Sequence, residues 1–290
     1  MAIEQEIFGK DGAHLIEALR DAVGSAHGSV RDYSEEIFRE ALQASPDEAV
    51  FLYWRELLGR ACVAGSVSMI RHDQWIRGVV SSYHSDSYLG LCGALRGLLE
   101  SAADSMYSLE PVAPTLVTQW DFLQKLLRRK RGSQMVISEE LEERLIHFSY
   151  ARKADRKEDV PAGHRALQNR DYIDTIRRFD PDIEGLYCQL VEIVHPAHQS
   201  VSWTVKHTPN KDHWQVSFGK STDSSDAICE LLDRNRSAIT NLLMSAINYS
   251  LITLKTLRRL GFTDVDLSYL DRVDLSGIKA WRDIEQQTKS

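Results

Sequence analysis

Apolar residues return at spacings of three and four along most of the chain, and this repeat commits it to a helix-rich fold. Interruptions are few: among 290 residues only seven are proline and sixteen glycine. Leu15, Leu19 and Val23 predict a first helix, and Ile37, Phe38, Ala41 and Leu42 predict a second over roughly 31–44. Ser45-Pro46-Asp47-Glu48 has the form of a helix start. Serine caps it, proline takes the first position where no amide donor is missed, and acids meet the positive end of the dipole. The helix it opens should reach about residue 70, followed by a shorter segment at 72–83. Further helices are predicted near 85–109, 115–130, 137–153, 165–178 and 182–194. Residues 152–165 are charged and poor in apolar side chains, so they read as an exposed loop or frayed end.

After Pro196 the period changes. Val201, Trp203 and Val205 alternate, as do Trp214, Val216 and Phe218, with a turn-rich connector at 207–213. That pattern predicts a β-hairpin over about 200–218, with Trp203 and Trp214 turned toward the helices, because an isolated hairpin is marginal in water. A last long helix is expected over about 224–260, closed by Gly261. The expected architecture is therefore mostly α: a helical bundle with a small β-hairpin insertion, one domain over 1–290, since no Gly/Ser/Pro-rich linker divides it.

A net charge of −7, from 35 basic and 42 acidic residues, argues against a dedicated binder of duplex DNA. The densest basic run, Lys125 with Arg128, Arg129, Lys130 and Arg131, ends an apolar stretch. It reads either as cations at a helix C-terminus or as a patch for an anionic partner, with Lys125, Arg128 and Arg129 as its binding residues. Cys62, Cys92, Cys188 and Cys229 show no paired spacing and read as buried free thiols. With a charged N-terminus and no long uncharged apolar run, the expectation is a cytoplasmic protein that does not engage a membrane.

Three features carry candidate chemistry. Gly90, Gly93 and Gly97 share a face of one helix, where a backbone is expected to approach, and beside them Arg96, Glu100 and Asp104 form a polar stripe. Arg234, Asn241, Ser245 and Asn248 form a second stripe on the most apolar helix, facing either water or the first stripe. Tyr187, Val191 and His195 share a third face, and Pro196 fixes the histidine at a helix end, where the dipole favours imidazolium. His195 is thus either a helix cap or a general acid–base. Together these predict that Arg96, Glu100 and His195 converge as a catalytic cluster, with Tyr187, Asn241 and Asn248 as binding residues. His195, His198, His207 and His213 match no standard zinc spacing, so no metal is expected. P-loop, dinucleotide, zincin and hydrolase-elbow motifs are missing from the sequence, so no cofactor is expected either.

Leu95-Arg96-Gly-Leu-Leu99-Glu100 on an early helix, Tyr187 through His195-Pro196 on a later one, and the long apolar helix that follows make the chain resemble HEPN-like bacterial helical proteins of unknown function. The resemblance covers roughly residues 50–260. It implies a helical interaction or accessory protein in bacterial stress or phage defence, pairing as a homodimer and engaging a protein partner or RNA. Active HEPN ribonucleases carry an arginine followed by four to six residues and a histidine. The resemblance therefore implies, as the alternative, a metal-independent ribonuclease. It would use His195 or His27 as acid–base, with Arg20–His27 and Arg77–His84 as formal motif matches.

Overall fold

The computed structural model describes residues 2–26, 36, 39–40, 43, 45–129, 136–155, 157–161, 163–196, 198–210, 213–218 and 224–289. It is a mostly α fold with one small antiparallel hairpin, as the apolar period demands. In chain order the helices are α1 (Ala2–Ala26), α2 (Pro46–His84), α3 (Tyr88–Leu109), α4 (Val112–Thr118), α5 (Trp120–Leu127) and α6 (Glu139–Tyr150). Then come α7 (Asn169–Arg177), α8 (Asp182–Val194), α9 (His198–Thr204), the strands β1 (Val205–Asn210) and β2 (His213–Phe218), and α10 (Ser224–Leu260). A 3-10 turn at Ser268–Arg272 and α11 (Lys279–Gln287) complete the chain. The helix expected over 31–44 lies largely outside the described residues.

The residues pack into two compact units, each assembled from three chain segments. The first comprises Met1–Glu17, Arg71–Ala103 and Asn169–Ala246; the second comprises Ala18–Ile70, Asp104–Gln168 and Ile247–Ser290. In the first unit the core is built from residues such as Phe8, Ile76, Leu95, Leu190, Ile239 and Leu243, all fully or almost fully buried. In the second, Trp54, Leu58, Leu116, Leu145, Leu254 and Leu257 do the same work. Trp54 also donates its indole N–H to the Val136 carbonyl at 2.8 Å, so its one polar atom is not stranded.

Sequence rules account for most boundaries. The Ser45 hydroxyl accepts the Glu48 amide at 3.2 Å, capping α2. Gly261 takes φ +91°, a left-handed conformation open to glycine, and α10 stops there. Where the chain departs from the expected boundaries, the causes are local. The break expected near residue 71 does not occur, and α2 runs 39 residues without interruption. The polar residues at this point are absorbed into the helix: His72 and Asp73 are buried, and Arg77 pairs with Asp73 one turn on, at 2.7 Å. The opposite happens at Gln119, whose φ −100° and ψ 15° divide the expected 115–130 helix into α4 and α5.

The hairpin also shifts. Residues 198–204 are helical rather than extended, and β1 begins at Val205, running through the expected connector. The strands pair antiparallel from Val205↔Phe218 to Asn210↔His213. A two-stranded ribbon has edges on both sides, so Pro209 can sit in β1 without breaking a central ladder. Trp203 sits on α9 and packs its ring 4.4 Å from that of Tyr88. Val216, on the alternating face expected to be covered, is exposed, and so are Gln215 and Ser217. The Trp214 side chain lies outside the described residues.

Candidate functional site

In the first unit, three helices supply one polar cluster. Arg96 and Glu100 stand one turn apart on α3, and the Arg96 Nε donates to Glu100 Oε1 at 2.9 Å. From the start of α7 the Asn169 amide donates to the same oxygen at 3.0 Å, and from α8 the Tyr187 hydroxyl reaches it at 3.5 Å. His195 caps α8: its amide donates to the Val191 carbonyl at 2.9 Å, and its own backbone is extended, as a residue before proline must be. The imidazole Nε2 lies 3.3 Å from Arg96 Nη1. Arg96 has only donors to offer, so this hydrogen bond requires the Nε2 lone pair and leaves the ring proton on Nδ1. The arginine side chain is 19% exposed and the glutamate 33%, while His195 is exposed.

Arg96, Glu100, His195 and Tyr187 are thus brought together. Asn169 was not singled out in the sequence; its one signal is an asparagine near a helix start. Asn241 belongs elsewhere: it donates to Asp180 Oδ2 at 2.7 Å. Asn248 is half-buried in the second unit, with its Oδ1 unbonded among the described residues. Asn241 therefore spends its amide outside the cluster.

The glycine stripe has one clear cause. A Cβ on Gly97 would stand 2.6 Å from the Trp75 ring, so what approaches this helix is an indole rather than a backbone. At Gly93 a Cβ would meet nothing.

The basic run holds intramolecular contacts. Arg129 pairs with Glu48 at 2.5 Å and stacks 3.4 Å over Phe51, while Lys125 and Arg128 are exposed. Arg77 is committed to Asp73, and His84 lies seven residues further along the same helix, about 10 Å away by helical rise. Arg20 is half-buried on α1, and His27 lies outside the described residues. No cluster of metal-ligating side chains occurs among the described residues; those of His198, His207 and His213 lie outside them.

The cysteines divide. Cys62 and Cys92 are buried, but Cys188 and Cys229 are exposed, which corrects the expectation of four buried thiols. Both exposed cysteines sit on amphipathic helices, where periodicity alone does not give the face. Burial pushes the Cys92 thiol up to about 12. It also lowers the His72 imidazole to about 4, with the Ser101 backbone opposing and Arg71 assisting. Among the described residues one helix, Ser224–Leu260, is long and apolar enough to cross a membrane, and 61% of its apolar window is buried inside the fold.

No protein-family model, no characterised protein and no solved structure matches the chain.

Proposed function

We propose that this chain is a HEPN-like helical protein that works by interaction, as an accessory subunit, rather than by acid–base catalysis. One observation carries the reading: His195 faces a guanidinium instead of a carboxylate. With its lone pair turned to Arg96, Nε2 carries no proton to give, so that nitrogen is not poised as a general acid. Here the Nε2 lone pair serves Arg96, and Glu100 spends one oxygen on three donors from three helices. Such an arrangement fixes helices in place. Pairing with a second copy fits the same reading, since Val63, Val67 and Ile70 line one face of α2 while 36–43% exposed.

The ribonuclease reading draws support from one fact. Arg96 and His195 stand side by side at an exposed position, where an arginine could stabilise a phosphorane and an imidazole could accept a proton. Incubation of the purified chain with labelled RNA in EDTA separates the two. Intact RNA, with His195→Gln unchanged in fold, is the expected result. Cleavage that disappears in His195→Gln and Arg96→Ala would establish the enzyme instead.

A further inference from the structure

A groove of about 660 Å³ opens within the first unit between α8 and α10, in the size range of small-molecule sites. It exists because side chains are missing from its walls. Gly185 forms one wall, and a Cβ there would meet nothing within 4 Å; Ser237 and Ala238 form the other. At Asn235, α10 leaves helical geometry, with φ −113° and ψ 16°. The Asn235 amide donates back to the Leu231 carbonyl at 2.9 Å and across to Gln189 Oε1 at 3.1 Å. The kink is therefore tied to the opposite wall.

Three charged side chains line the hollow; Glu192 is engaged, and the other two, of opposite sign, are unspent. Among the described residues, neither the Arg234 guanidinium nor the Asp182 carboxylate has a partner. Their separation follows from the helix contacts. Gln189 meets Asn235 and Asp180 meets Asn241, so the two helices run antiparallel. Arg234, just before the kink, stands at the level of Gln189; Asp182 lies seven residues back along α8, about 10 Å by helical rise. Three extended residues span about the same length.

We propose that the groove is a binding site for a short dipolar ligand of tripeptide length. Arg234 receives the ligand's carboxylate and Asp182 its ammonium, while the Gln189 Nε2 and Asn235 Oδ1, level with Arg234, meet the peptide group next to the carboxylate. The groove shares no residue with the Arg96 cluster, and the inference does not depend on that cluster's role.

Triglycine is the probe. Cys188 lines the groove and is exposed, whereas Cys229 is exposed and does not line it, so alkylation by iodoacetamide reports occupancy with an internal control. Triglycine should slow alkylation of Cys188 and leave Cys229 unchanged. Arg234→Ala should weaken triglycine about tenfold without altering the response to triglycine amide. Asp182→Asn should weaken triglycine but not N-acetyl-triglycine, and Gly185→Leu, a helix-compatible change, should abolish protection. Absence of protection at 10 mM triglycine, a threshold on the order of ordinary weak binding, would overturn the proposal. So would equal protection in Gly185→Leu, or losses in the charge variants that do not follow the ligand's ends.

Discussion

His72 shows how a single side chain can set the pH range of the fold. It is fully buried on α2, and desolvation holds its imidazole at about 4, below the ordinary 6.5. The neutral ring is thus favoured when folded, and the unfolded chain takes up the proton first as pH falls. Its stabilising share is complete above 6.5 and drains between 6.5 and 4, at about 1.4 kcal/mol per pH unit. Urea melts at pH 7 and pH 5 should show this loss in the natural chain and a smaller one in His72→Gln. Equal losses would remove His72 from the account. The sequence could not reveal the site: His72 sits in Ile70-Arg71-His72-Asp73, which reads as polar, and only the face of α2 turned inward explains it. Arg96 and Glu100 were legible because they interrupt an apolar stretch one turn apart, and His195 because Pro196 marks a helix end. Asn241, Asn248 and Cys188 mark the limit of such reading: spacing identifies a shared face but not the neighbour that face meets.

Elements follow the sequence wherever a cap or breaker is strong. Ser45-Pro46, Pro181 and Gly261 set their boundaries because each acts within its own turn, through a capping hydroxyl or its own backbone. Boundaries that depend on packing were not readable, as the unbroken α2 and the displaced hairpin both show. The segment 152–165 belongs to the second kind. Composition made it a loose loop, yet Arg165 laces it, donating to the carbonyls of Ala154 at 3.2 Å, Asp155 at 3.1 Å and Glu158 at 2.7 Å. Arg152 pairs with Glu158 and forms a short bridge with Arg165, while the buried His147 holds the Gly163 carbonyl at 3.1 Å. A planar guanidinium with five donors can close three carbonyls at once. In Arg165→Ala the loop should open more often, raising tryptic cleavage after Lys153 and Lys157 by about tenfold, because cleavage follows the open population. Cleavage at the natural rate would mean the loop is held by its ends alone.

At the scale of the molecule, both units are discontinuous in sequence. α1, α2, α3 and α10 each give one part to the first unit and another to the second, so no contiguous fragment consists of one unit alone. The apolar period announced long helices, but it carries no record of how many packing groups one helix serves. The consequence can be tested by ending the chain at residue 168. That fragment keeps Ala18–Ile70 and Asp104–Gln168 of the second unit but lacks its third segment, Ile247–Ser290. The missing segment buries Leu251, Leu254 and Leu257 completely and Leu260, Phe262 and Trp281 almost completely. Leu254 also fills the space over Gly65, where a Cβ would stand 2.9 Å from its side chain. Burying a large apolar side chain stabilises by about 1.5–3 kcal/mol, so six of them contribute on the order of 10 kcal/mol, as much as a typical domain has in reserve. The first unit fares no better, because the same truncation removes Asn169–Ala246. The fragment should therefore lose helix content beyond its shortened length and melt without a cooperative transition by circular dichroism. A sharp transition near that of the full chain would show that the N-terminal segments form a core of their own.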